Sequence, residues 1–127
     1  MTKISSGLRT LFLVHLVLGL VFGLAYLFIP GIFMGWLGVS LQDELIYRTV
    51  GAAVLAFSAS SWFCYKAPEW ERVKIVVQAE IVWTVLVALL GLYGLIFAGA
   101  PAAYWINVII MAGFAGAFIY FYSKKGV

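Results

Sequence analysis

Glu80 is the residue whose placement asks for a chemical reason. It stands in VVQAEIVWTVLVALLGLYGL, Val76 to Leu95, a run that is almost entirely apolar apart from Gln78 and Glu80 itself. An acid at the centre of a membrane helix costs roughly 2.5 kcal/mol or more on insertion scales, judged from aspartate and the basic residues. Interhelical polar contacts in membranes return well under ~2 kcal/mol on average. Cost without an evident structural need points to function, and a lone carboxylate in apolar surroundings suits a proton or a cation. The competing reading is a structural network, with Glu80 neutral or bonded to His15, Ser58 or Gln78.

Depth ties other side chains to Glu80. With a helical rise of about 1.5 Å per residue, His15 lies roughly 9 Å beyond Arg9, and Glu80 about 12 Å beyond Arg72. Ser58 lies about 12 Å before Lys66, with Ser61 shallower, and Tyr120 about 6 Å before Lys124. These residues come from four separate apolar runs and converge on one half of a membrane. The expectation is a polar pocket opening toward the cytoplasm, lined by Glu80, His15, Ser58, Gln78, Thr84, Trp83 and Tyr120. Trp83 sits deep enough to line a site for an apolar ligand. At the far end, Arg48 shares its level with Asp43, Glu44, Tyr47 and Asn107. That group reads as a snorkelling arginine with local acid partners, or as a second mouth of the pocket or an anion contact.

Other chemistry is not encoded in recognisable form. The chain has no Gly-rich phosphate loop, no HExxH, no paired histidines for haem and no Ser-His-Asp set. A single cysteine, Cys64, excludes an internal disulfide and a cysteine-based metal site. No cofactor, metal or nucleic acid is expected, and an enzyme is the weakest of the functional classes because no nucleophile, base and orienter stand at convincing spacing.

The elements that must hold these residues follow from composition. Apolar residues make up 65% of the 127 residues and charged residues 10%, whereas a soluble domain carries about 25% charged residues. The main solvent is therefore lipid. About 20 helical residues cross a bilayer core, and the chain divides into spans at about 8–29, 45–65, 73–97 and 103–122, forming a single domain over 1–127. The basic, apolar N-terminus resembles a signal peptide, but its apolar run continues past the usual core of about 7–15 residues, so it is read as a retained span. Pro30 ends the first span, and GIFMGWLG is expected to lie at the membrane surface. Ser40 is the expected cap of the second span, with Asp43 three residues on.

Charge sets orientation. Lys3, Arg9, Lys66, Arg72, Lys74, Lys124 and Lys125 fall on one side of the membrane and only Arg48 on the other. The positive-inside rule then places both termini in the cytoplasm. Short connections favour antiparallel neighbours, so the expected fold is all-α, an integral membrane up-down four-helix bundle. Gly19 and Gly23 form a GxxxG pair, and Gly113 and Gly116 a second small-residue seam. Both are expected at helix contacts, inside the monomer or in a homo-oligomer.

The order LGLVFGLAYLFIPGIFMGWLGV, then IYRTVGAAVLAFSASSWF, a basic loop and two more spans resembles the small four-span prokaryotic membrane proteins grouped as DoxX-like. The resemblance covers most of the chain and rests on a Pro-x-x-Phe closing the first span and an Arg-x-x-Gly-Ala opening the second. It implies a four-helix bundle without a settled activity, and brings no catalytic residue. Membrane glutathione transferases match in size, but the Arg-rich and Asn-x-x-Glu signatures expected of them are missing. Two functions remain open. One is a multi-pass protein of the cell membrane binding or transporting a small apolar or amphipathic molecule, or protons, around Glu80. The other is an accessory subunit acting through helix contacts with the bilayer, a partner subunit or a second copy.

Overall fold

The structure, a computed structural model, describes residues 2–127. It is helical throughout, with α1 Ser6–Phe28, α2 Pro30–Trp36, α3 Glu44–Lys66, α4 Trp70–Phe97 and α5 Tyr104–Ser123, and no strand among the described residues. Three helices, α1, α4 and α5, are long and apolar enough to cross a membrane. α3 matches α1 in length at 23 residues, but Arg48, Thr49, Ser58, Ser60 and Ser61 make it more polar.

The helix ends are built from local chemistry. The Ser5 hydroxyl accepts from the Leu8 amide and caps α1. Pro30 occupies the first position of α2, where its missing donor costs nothing; it both stops α1 and starts α2. The cap of α3 is Asp43, whose carboxylate accepts from the amides of Leu45 and Ile46, rather than Ser40. A carboxylate at the positive end of the helix dipole gains more than a hydroxyl would. Two arginines satisfy carbonyls that helix ends leave without partners. Arg9 donates to the carbonyls of Tyr65 and Ala67 at the end of α3, and Arg48 donates to the Leu27 carbonyl at the end of α1. After α4 the chain turns through Gly99 at φ +67°, a left-handed conformation that favours glycine.

The long helices pack as two close pairs, α1 on α3 and α4 on α5. The first pair approaches backbone to backbone. A Cβ on Gly51 would lie 2.7 Å from the Leu27 nitrogen and 2.8 Å from the Gly23 oxygen. Gly19 receives the Ser58 side chain and Gly23 receives Leu55. In the second pair Val108 sits against Gly91. Gly113 and Gly116 make no such contact: a Cβ at either would meet open space. On α5 the inward face is Val108, Phe114, Ala115 and Phe118, and the large rings of Phe114 and Phe118 make many more packing contacts than a glycine would.

Backbone hydrogen bonds bring three segments together at one end. The Ile4 amide donates to Pro68, the Trp70 amide to Thr2, and the Ser5 amide to Gly126. Both termini and the α3–α4 connection therefore meet there, and with them the segments carrying seven of the eight basic residues. A core of Ile4, Leu8, Phe12, Cys64, Trp70, Val73, Val77, Phe114 and Phe118 fills this end. The outer faces are apolar instead. Only 17%, 28% and 22% of residues in the apolar windows of α1, α4 and α5 are buried, which leaves far more exposed apolar surface than a water-soluble monomer carries.

Candidate functional site

Glu80 is fully buried on α4, in the seam between the two helix pairs. His15, on α1, brings Nε2 to 3.2 Å from the Glu80 Oε2. The approach is that of an ion pair, yet neither Glu80 carboxylate oxygen accepts a well-aligned hydrogen bond from the described residues. The distance establishes the pairing; the poor alignment marks it as under-satisfied. A buried polar group left in that state calls for an explanation.

The other side of the imidazole is anchored. His15 Nδ1 lies 2.8 Å from Ser61 Oγ on α3. If His15 is neutral with the proton on Nε2, the Ser61 hydroxyl donates to Nδ1. If the ring is doubly protonated, Nδ1–H donates to Ser61 and Nε2–H faces the carboxylate. The chain Ser61–His15–Glu80 accommodates both states without moving a heavy atom. Phe114 and Phe118 hold the ring edge-on, with centroids at 4.9 and 5.7 Å. α5 thus contributes an apolar wall, and α1, α3 and α4 contribute the polar line.

The connectivity is that of a nucleophile, base and acid, but Ser61 has no exposed surface. No substrate carbonyl can reach its hydroxyl in this arrangement.

The expected site residues separate into two groups. Ser58 and Thr84 are fully buried near this line, but each hydroxyl donates to its own helix, Ser58 to the Val54 carbonyl at 3.0 Å and Thr84 to the Glu80 carbonyl at 2.6 Å. Local back-bonding of this kind satisfies a hydroxyl without a tertiary partner. Trp83 is half-buried and stacks on Phe57 at 5.0 Å. Gln78 and Tyr120 stand outside the site. Gln78 is exposed and donates to the Tyr122 hydroxyl at 3.0 Å, and Tyr120 is 55% exposed. Arg48 pairs with Glu44 and with the Leu27 carbonyl, which is the snorkelling arrangement with a helix cap added. Asn107 instead turns to an internal cavity.

That cavity, of about 60 Å³, lies between the helix pairs and is lined by His15, Gly19, Phe22, Tyr26, Trp83, Asn107 and neighbouring apolar side chains. A second, of about 40 Å³, shares Phe22, Tyr26 and Asn107 with it and continues beneath Met34 and Leu37. The first extends from His15 away from the basic end, and the second lies farther in that direction. The expected opening toward that end is corrected: Phe12, Phe118, Val73 and Val77 occupy the space there, each with no exposed surface. Glu80 itself lines neither cavity; His15 stands between it and the void.

Size narrows the chemistry. One water needs about 10–15 Å³ measured this way, and a cavity that takes benzene has about 150 Å³. The His15 cavity admits a few waters and is too small for a benzene-sized molecule. No cluster of three or more metal-ligating side chains occurs among the described residues. Comparison with protein-family models, curated proteins and solved structures finds no match for this chain, so the reading of the site rests on its geometry.

Proposed function

We propose that this chain is a multi-pass protein of the cell membrane, of the DoxX-like type, in which the His15–Glu80 pair binds and releases a proton. In this reading α1, α3, α4 and α5 form an up-down four-helix bundle with both termini cytoplasmic. Support for the bundle comes from the three apolar helices, the equal length of α3 and the gathering of basic segments at one end. The observation that carries the site is the buried carboxylate without an aligned hydrogen bond, contacted by one imidazole that borders a cavity of water dimensions. Histidine is the side chain whose charge changes near neutral pH, and Ser61 stabilises either form of its ring. A small apolar or amphipathic ligand would need the cavity to widen before it fits.

The direct test is infrared difference spectroscopy of the purified protein in lipid. As pH is varied through the range in which histidine titrates, a carboxylic acid carbonyl band should grow or fade, and Glu80→Gln should remove that band. A spectrum that is invariant with pH, or a band that persists in Glu80→Gln, ends the proposal. The alternative, an accessory subunit working through helix contacts, draws on the outward-facing Gly113 and Gly116, since small residues on a lipid-facing helix permit close approach of another helix.

A further inference from the structure

We infer that the His15–Glu80 pair exchanges with one face of the membrane only, the face opposite the basic residues, through a water file that passes Tyr26 and Asn107. This deepens the proton-binding reading and rests on it for its purpose, but its geometry stands separately.

The first observation is continuity. The cavities of about 60 and 40 Å³ share Phe22, Tyr26 and Asn107, so they adjoin along the same three side chains. Each is several times larger than the roughly 10–15 Å³ that one water requires. The second is polarity. An ordered water needs two to four polar partners, and the walls of the two cavities include His15, Tyr26, Asn107 and Tyr104. Asn107 is otherwise hard to account for, since Arg48 finds its partners in Glu44 and Leu27.

The third observation is the seal on the opposite side. Val77 and Val73 lie one and two turns from Glu80 toward the basic end, and neither has exposed surface. Phe12 and Phe118 close the same level with ring centroids 6.0 Å apart. Behind Glu80 in that direction stands a packed core of Phe12, Cys64, Val73, Val77 and Phe118. The two sides thus differ: there is void beyond His15 and a filled core behind Glu80. Met34 of α2 is one of the side chains that line the second cavity.

Silver ion tests access, because it is small enough to follow water and reacts with thiols. In a Cys64→Ser background, single cysteines are placed at Asn107→Cys in the file and at Val77→Cys in the seal. Lys66→Cys identifies the basic face in each membrane preparation. Vesicles are exposed to silver from one side, quenched, denatured and labelled with a fluorescent maleimide. Asn107→Cys should lose maleimide labelling after silver is applied opposite Lys66→Cys, and retain it when silver comes from the same side. Val77→Cys should retain labelling under both. Met111→Cys, also on the cavity wall, serves as a second reporter should Asn107→Cys misfold. Reaction of Val77→Cys from the basic side, or failure of both cavity reporters from the opposite side, overturns the inference. The assay is indifferent to whether the pair titrates. Labelling as expected with a pH-invariant infrared spectrum would refute proton binding and keep the one-sided file; the reverse pair of results would refute the file alone.

Discussion

At the residue scale the question is whether His15 and Glu80 need each other. A buried charge stripped of its partner is far more costly than the pair, because the desolvation cost remains while the attraction is gone. His15→Ala leaves the Glu80 carboxylate and the Ser61 hydroxyl facing an apolar hole. We expect a loss of about 3–5 kcal/mol of stability, measured by unfolding in detergent. Glu80→Gln keeps shape and removes charge, so its cost should stay within about 1 kcal/mol, the scale of interhelical polar contacts in membranes. Equal stabilities for both variants would show that the pair contributes packing alone. The carboxylate and the imidazole were legible from sequence, as charged or titratable groups inside apolar runs. Ser61 was not singled out, although the signal was present: it precedes Lys66 by nearly the distance that His15 follows Arg9, a closer depth match than Ser58 offers. Hydroxyls mislead because a serine can be satisfied by its own helix, as Ser58 is.

At the element scale, glycines that look alike in sequence do opposite things. Gly19 and Gly23 meet small or yielding partners on α3, Ser58, Leu55 and Gly51. Gly113 and Gly116 are turned away because Phe114 and Phe118, on the other face of α5, fill the space around His15. A stripe of small residues declares close packing only if a partner surface exists, and that is a property of two helices rather than of one. A contrast of alanine substitutions follows. At Gly51 the new Cβ would stand within 3 Å of the backbone of both Gly23 and Leu27, so α1 and α3 must separate, at a cost of about 1–3 kcal/mol. At Gly113 or Gly116 nothing is displaced, and exchanging glycine for alanine in a helix is favourable by up to about 1 kcal/mol. Thermal stability in detergent should fall for Gly51→Ala and hold or rise for the other two. A marked fall for Gly113→Ala or Gly116→Ala, accompanied by loss of a higher oligomer, would instead identify that face as the seat of another helix.

At the scale of the whole molecule, orientation gives the one-sided cavity its direction. Charge asymmetry and the apolar runs of α1, α4 and α5 are written along the chain, so both could be read in one dimension. The level that the core fills could not, because it depends on where aromatic rings from different helices meet. Counting depth from the basic end located Glu80 but said nothing of Phe12, Phe118 and Trp70 packing beneath it. If the basic end is cytoplasmic, as the positive-inside rule favours, then the proposed file leads away from the cytoplasm and the pair would respond to the pH outside. The prediction is that a cysteine at Lys66 reacts with a membrane-impermeant maleimide only when the reagent reaches the cytoplasmic face, and that tags on either terminus share that side. Because both termini are held to the α3–α4 connection by backbone hydrogen bonds, the three must report together. Labelling of Lys66→Cys only from outside would reverse the molecule and turn the cavity toward the cytoplasm. Disagreement among the three sites would mean that the long helices do not all cross the membrane.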